Sequence, residues 1–557
     1  MKKNMKQLIG LALSAAMLIG MSGCGSKEQE FSSETKQSVS EQESSEQVSS
    51  TDNSVEESTE ITYPLDTDEV LSLWNDDRFK PNSAYNDVSE SPFHKGLQER
   101  TGVEIEWQFL QAGANGQEAY NLLLTEDVLP DIIHRYWTLA EAEELINDGV
   151  IYDLTEYLPK YAPDYWATLN KPEYADVKKA VTTESGKQFV VASFLESTFN
   201  TTYQGPVVRK DWLDECDLDE PVTLEDWEEM LTKFKEKYGA TLGLASGVFT
   251  GGNLFQSGTG AYGNLAAGWY IDDANTIQFA NVSPEWKEYI EVLNRWYENG
   301  LINKDSLTMD NAALRTKAVN NEIGASFVPM SQLTNMIIDA ESANPDAEWI
   351  GVGYPRTAEG EPTCFIQASA TKWANNGSVI TTSCPEDRLI TALQFLNYGY
   401  TEEGGMYWAY GEEGVSYTLN DKGEVEWTDL VINDEQGISG AVTKYSGSSN
   451  APISIQKERF VQLKNNEACT DAVYKWIDNT NAHAHKSPSL SLTEEENVAY
   501  TDKYASISSY VKETALKFVT GEVSLDEFDN YVAQLNKMGL QECIDIQQAA
   551  YERYLAK

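Results

Sequence analysis

From about Thr62 onward, short apolar runs of strand character alternate with apolar stripes of helical period. The spacing predicts strands over Glu69–Trp74, Val103–Leu110, Asp131–Ile133, Leu242–Ala245 and Ile323–Val328, with an extended stretch at Val207–Arg209. It predicts a helix over Phe93–Thr101, stopped by Gly102, and another behind Thr138-Leu-Ala-Glu141, a capping-box pattern. Thr223 and Asp226 open a third helix, with Trp227, Met230, Leu231 and Phe234 at i, i+3, i+4 and i+7. Ser283-Pro284 opens a fourth, carrying Trp286, Ile290, Leu293 and Trp296 and closed by Gly300. A last one follows Ser524, with Phe528, Val532 and Leu535 on one face and Gly539 behind it. Strands alternating with helices imply α/β architecture with mostly parallel sheets.

The amino terminus follows neither period. Lys2, Lys3 and Lys6 precede the apolar run Leu8–Met21, and Met21-Ser22-Gly23-Cys24 follows. A basic start, a short apolar stretch and small residues read as a secretory signal. The Cys directly after Ser-Gly resembles the lipobox of bacterial lipoproteins, which implies cleavage after residue 23 and lipidation of Cys24. Residues 24–60 then form a tether. Eleven serines and nine glutamates crowd residues 25–60, with little to bury, so disorder is expected there. As a coil this segment reaches on the order of 30–35 Å.

Charge narrows the partners. The 557 residues carry 41 Lys and Arg against 89 Asp and Glu, a formal charge of −48. Nucleic acids and anionic membrane surfaces call for dense positive charge, so neither is expected as a partner. The 14 Trp, 29 Tyr and 17 Phe supply ample core. Six cysteines are too few for a disulfide scaffold. Of the five beyond the lipobox, a Cys364–Cys384 pair is the one considered, and free buried thiols are the reading preferred.

In open α/β sheets, ligands bind beyond the carboxyl ends of strands. Four loops qualify: Trp74-Asn75-Asp76-Asp77, His134-Arg135-Tyr136-Trp137, the Gly-rich stretch from Phe249 to Trp269, and Pro329-Met330-Ser331. Aromatic faces stack on the C–H faces of sugar rings while amides and carboxylates take the hydroxyls. The candidate ligand-binding residues are therefore Trp74, Asn75, Asp76, Arg135, Tyr136, Trp137, Asn253, Phe255, Tyr262, Trp269, Phe327, Trp373 and Tyr510. Trp137→Ala is expected to weaken binding without unfolding the chain.

Several stretches resemble the family 1 extracellular solute-binding proteins, the lipid-anchored sugar receptors of bacterial ABC importers. They are Leu129-Pro-Asp-Ile-Ile133, Gly205–Leu213 with the capped helix after it, Trp296–Ile302, Tyr410–Tyr417, and Lys517–Gly521 with Leu525–Tyr554. The resemblance implies a two-lobed, hinge-bending α/β fold of the class II periplasmic-binding-protein type, with lobes discontinuous in sequence. Crossings are expected near Tyr203–Pro206, Tyr354–Arg356 and Gly411. That assigns residues 61–204 and 356–411 to the first lobe and 205–355 and 412–557 to the second. It further implies an oligosaccharide ligand in the cleft, permease subunits as partners, a monomer, and residence on the outer face of the cytoplasmic membrane. Relatives place an aromatic sugar platform where Arg135, Tyr136 and Trp137 stand. Their calcium loop is replaced here by Lys235-Glu-Lys-Tyr-Gly-Ala240, so no metal and no cofactor is expected.

Other signals lead elsewhere and are weak. Gly258-Thr-Gly260-Ala-Tyr-Gly263 matches G-x-G-x-x-G but sits in a polar loop rather than between a strand and a helix. His483 and His485 lack a third ligand nearby. No G-x-S-x-G and no H-E-x-x-H occurs. The expectation is a receptor and not an enzyme. The alternatives are a lipid-anchored glycan-degrading enzyme, whose paired carboxylates sequence alone does not exclude, and a receptor for peptides, for which Arg135 is the one terminal-charge partner in view.

Overall fold

A computed structural model describes residues 61–76, 88–110, 115–195, 202, 204–247, 255–263, 265, 268–366, 371–435, 437–447, 454–455 and 467–557. The signal, the tether, Cys24 and Asn253 lie outside the described residues.

The strands in chain order are β1 (Val70–Asn75), β2 (Glu104–Phe109), β3 (Ile132–Tyr136), β4 (Val191–Leu195), β5 (Gln204–Arg209), β6 (Thr241–Gly243) and β7 (Trp269–Ile271). They continue with β8 (Ile277–Phe279), β9 (Ile323–Pro329), β10 (Trp349–Gly351), β11 (Trp373–Ile380), β12 (Tyr417–Leu419), β13 (Val425–Trp427) and β14 (Ser454–Ile455). Two sheets organise the molecule, in the orders β14-β4-β11-β3-β1-β2 and β10-β5-β9-β6. β1 runs parallel to β2 and β3, and β6 parallel to β9. β11 is antiparallel to β3 and β4, and β5 to β9 and β10, so the mostly parallel expectation needs correction. β5 and β11 each follow directly on chain that arrives from the other sheet's body. Among the described residues no helical crossover from a neighbouring strand precedes them, so nothing there obliges them to run parallel.

Each sheet has its own core. Leu71, Leu73, Ile132, Ile133, Val191, Phe194 and Val379 bury in the first, with Phe93 and Leu97 from the Pro92–Thr101 helix. Val207, Val208, Ile323 and Ala325 bury in the second, with Trp227, Leu231, Phe234, Trp286 and Trp296 from the two capped helices. The caps read from sequence form as hydrogen bonds. Thr138 Oγ1 accepts from Glu141 N at 3.3 Å, and Ser283 Oγ from Trp286 N at 3.1 Å. Thr223 Oγ1 accepts from Asp226 N at 3.2 Å, while Asp226 returns an oxygen to Thr223 N at 2.8 Å. Gly102 and Gly239 take φ near 72° to end their helices, a conformation costly for any residue with a Cβ.

Burial divides the chain differently from the motifs. Residues 412–447 pack with the first body: Tyr410, Tyr417, Trp427, Val431 and Val442 form a small cluster. A Cβ on Gly447 would meet Trp408 at 2.2 Å and Phe93 at 3.1 Å. β14 then joins β4, so packing with the first body continues at Ser454–Ile455. Ile366 belongs to the second core, and Arg356 donates to the carbonyls of Asp478 and Asn479, both at 3.0 Å. Residues up to 366 thus pack with the second body. The sequence stretches used to place these boundaries lie inside the packed bodies, where core contacts decide membership.

Candidate functional site

β1 and β3 end side by side, Asn75 opposite His134. Asp76 N donates to His134 O at 3.0 Å, so the pairing extends one residue past the strand. The Gly116–Leu123 helix begins against this edge. A Cβ at Gly116 would lie 2.0 Å from Asp76 Oδ1, so only glycine lets the carboxylate sit there. That carboxylate faces the positive end of the helix dipole. Asn115 Oδ1 caps the same helix, accepting from Gln117 N at 3.0 Å and Glu118 N at 3.2 Å.

Arg135 is the centre of the cluster, and it is buried. His134, Arg135 and Tyr136 are still in strand β3, not in a loop beyond it as expected. The guanidinium donates to Glu141 Oε1 at 2.7 Å and to Gln117 Oε1 at 2.9 Å. It lies 3.6 Å over the Tyr120 ring and 5.1 Å from that of Trp137. Its charge is matched by Glu141 and its face by aromatic rings, so it serves as a clamp rather than an open cation. Burial, then the Glu141 charge, pushes the Tyr120 phenol well above its ordinary range.

Among the buried polar atoms here, Asn75 Oδ1, the Tyr120 hydroxyl and Arg135 Nε have no hydrogen-bond partner. Such groups cost about 1–3 kcal/mol each when left without a partner. Tyr136, the last residue of β3, is 38 % exposed.

The aromatic candidates divide sharply. Trp137 is 3 % exposed, its Nε1 donates to Gly377 O at 2.9 Å, and its ring meets Tyr120 edge-on at 6.0 Å. Trp74 packs against Tyr120 in the same floor. Trp373 is buried with Nε1 on Asn376 O at 3.0 Å. Phe255 is enclosed by Trp227 and Trp296, at 4.6 and 5.5 Å, and Phe327 is buried with its ring edge-on to Tyr354. None of these five offers an open stacking face. Each sits at a core position of its strand or turn, where apolar burial outweighs exposure.

The half-exposed rings of the second body belong to two groups. Tyr262 stacks on Tyr270 at 4.5 Å and 10° and touches the His485 ring at 4.8 Å. Burial pushes the Tyr262 phenol up to about 12. Trp269 opens β7, packs on Phe279 and Tyr504, and donates Nε1 to Tyr500 OH at 3.2 Å. Tyr510 stacks on Tyr531 at 5.8 Å on the long Glu494–Thr520 helix, apart from both groups.

The structure thus gathers Trp74, Asn75, Asp76, Arg135, Tyr136 and Trp137 at one edge. Gln117, Tyr120 and Glu141 join them without having been anticipated. Glu141 reads in sequence only as a capping residue, and no period links it to Arg135 six residues earlier. His485 Nδ1 contacts Ile271 O at 2.8 Å, which fixes the ring against β7. Among the described residues no group of three His, Cys, Asp or Glu side chains is placed to hold a metal. Gly258 lies in a single 3-10 turn, Gln256–Thr259, unlike a phosphate-binding loop. Cys216, Cys364, Cys384, Cys469 and Cys543 form no disulfide with one another.

Residues 84–406 match the family model for the bacterial extracellular solute-binding protein. The chain belongs to that family. It is 24 % identical over 469 residues to the lipoprotein LipO of Bacillus subtilis, covering 81 % of this chain and 86 % of that one. It is 22 % identical over 525 residues to FusA of Streptococcus pneumoniae, a fructooligosaccharide ABC transporter substrate-binding protein, with 89 % and 92 % covered. Among solved structures, an HMO-binding solute-binding protein of Bifidobacterium longum infantis superposes with TM-score 0.70 at 18 % identity, covering 87 % of this chain and 99 % of that one. The alginate-binding protein AlgQ2, crystallised without calcium, gives TM-score 0.67 at 18 % identity with the same coverage. At such identity the likeness carries the fold: two α/β lobes of the solute-binding type. Family members bind and release solutes rather than transform them, so this chain is a solute-binding protein and not an enzyme.

Proposed function

We propose that this solute-binding protein is a cell-surface receptor, lipid-anchored through Cys24, that takes an oligosaccharide between its lobes and delivers it unaltered to the permease subunits of an ABC importer. The observation that carries the ligand class is the edge at β1 and β3. There Asp76 lies against Gly116, Gln117 accepts from Arg135, Trp74 and Trp137 pack on Tyr120, and the half-exposed Tyr136 ends β3. One ring face with hydrogen-bonding groups at its side suits a pyranose or furanose unit. The names of relatives that bind fructooligosaccharide or HMO agree with this class, and the lipoprotein relative agrees with the lipobox. The two cores support lobes formed by residues 61–195 with 371–455, and by 204–366 with 467–557. Ligand contacts made to both lobes would favour the closed state, and the permease would read that state. The receptor works as a monomer on the outer face of the cytoplasmic membrane, held by a tether of residues 24–60.

The peptide alternative loses its motivation, because the Arg135 charge is already matched by Glu141. To test the proposal, the protein is incubated with a mixed pool of glycans and peptides, separated from unbound material, and denatured. Mass spectrometry of what it releases should find an intact oligosaccharide. Recovery of peptides alone, or of nothing, overturns the reading.

A further inference from the structure

A set of side-chain contacts joins the two bodies at one place, through the last residues of the chain. The Leu540–Ala556 helix belongs to the second body, where Tyr551 buries against Ile271 and Ile277. Arg553 is held there by Glu496, with Nη1 to Oε1 at 2.9 Å, and by the Ser491 carbonyl at 3.3 Å. Its Nε faces Glu184 of the first body in a close ion pair. Lys557 Nζ reaches the same carboxylate at 3.3 Å and donates to Thr182 O at 3.0 Å. Lys179 answers from the first body, with its Nζ 3.5 Å from Leu555 O and 5.5 Å from the Tyr554 ring.

Glu184 is rigidly mounted. Its turn is closed by Thr183 N to Lys187 O and Gly186 N to Thr183 O, both at 3.0 Å. Ser185 next to it donates Oγ to Glu143 Oε1 at 2.6 Å and N to Glu143 Oε2 at 3.2 Å. Glu143 lies on the Leu139–Asn147 helix, the helix that supplies Glu141 to Arg135. The charged groups are sheltered: side chains of Glu184, Glu496 and Lys557 are 20 %, 19 % and 18 % exposed. Such a network is stronger than isolated surface pairs, yet open enough for salt to weaken it.

We propose that Arg553–Lys557 form a charged strap across the lobes that restricts hinge motion, anchored on the helix that also braces the ligand-binding edge. Rotation of one body against the other displaces these contacts, so their strength sets how widely the lobes range. The inference stands whatever the ligand is.

Glu184→Gln and Lys557→Met test it, because both leave the Arg553–Glu496 pair intact. Hydrogen exchange and small-angle scattering are measured on the whole chain at low and high salt. Lys557→Met should raise amide exchange at Glu184–Gly186, on the opposite body, by about fivefold or more. Glu184→Gln should do the same for Tyr554–Lys557, and both should broaden the scattering distance distribution. The double variant should add little to either single change, since the partners act as a unit. High salt should reproduce the effect in the unaltered protein. Exchange and scattering that stay unchanged in both variants overturn the proposal.

Discussion

Trp137→Ala and Tyr136→Ala, neighbours in sequence, should behave oppositely. Trp137 is 3 % exposed and donates a hydrogen bond to Gly377 O, whereas Tyr136 is 38 % exposed. Truncating a buried Trp costs about 3–5 kcal/mol, from lost transfer energy and from the cavity left behind. The edge-on contact with Tyr120 and the cation face toward Arg135 disappear with the ring, so the upper part of that range applies. In a lobe of this size each kcal/mol moves the midpoint by roughly 2–4 °C, which gives a fall of about 10 °C. Tyr136→Ala should leave the midpoint within about 2 °C, as surface changes do. It should instead weaken oligosaccharide binding by roughly tenfold or more, the ~1.4 kcal/mol a stacked ring supplies. Differential scanning calorimetry reads the first effect and titration calorimetry the second. A Trp137→Ala protein melting within about 2 °C of the parent would refute the core assignment, and undiminished affinity in Tyr136→Ala would remove that ring from the site.

Three further outcomes follow from the same contacts. Gly116→Ala should displace Asp76, which lies 2.0 Å from the new Cβ, and lower ligand affinity severalfold with a smaller effect on melting; equal affinity in titration would place Asp76 outside the site. Burial lowers the Lys486 amine from 10.5 to about 8. The folded state therefore binds fewer protons than the unfolded chain between those values, so this group makes stability rise as pH increases from about 8 toward 10.5. Lys486→Met should raise stability at pH 7 by an amount on the order of 3 kcal/mol and flatten that rise, as urea midpoints at pH 7, 8, 9 and 10 would show. Midpoints with the same slope in both proteins would contradict it. Burial also pushes the Cys364 and Cys384 thiols up to about 12, so alkylation at pH 8 should be slow until urea unfolds the chain. Rapid labelling of both under native conditions would count against these positions.

The elements were legible where local chemistry decides them. Thr223 with Asp226, Ser283 with Pro284, and the terminal glycines Gly102 and Gly300 fix helix ends through hydrogen bonds and backbone freedom that belong to their own neighbourhoods. The strand ends at Asn75 and Tyr136 were legible as a place to look, since that follows from parallel α/β architecture. Which aromatic faces stay open was not. Tyr136 ends β3 and Trp137 follows it, and only the tertiary packing of Tyr120 and Gly377 says that the Trp137 ring is the covered one. The lobe boundaries drawn from motifs differ from the packing for a similar reason. Residues 412–447 carry a family-like motif, yet their apolar side chains bury beside Phe93 and Trp408 of the first body. The Arg135–Glu141 pair crosses from a strand to a helix and leaves no periodic trace.

The central claim is that the edge formed by β1 and β3 holds a glycan that the protein releases intact. Titration calorimetry of the purified protein against neutral and acidic oligosaccharides, with tripeptides as controls, measures it most directly. The account predicts saturable one-to-one binding to at least one oligosaccharide, lost when Tyr136 is replaced by alanine, and no heat from the tripeptides. Absence of binding to every glycan, or binding to tripeptides instead, would contradict it.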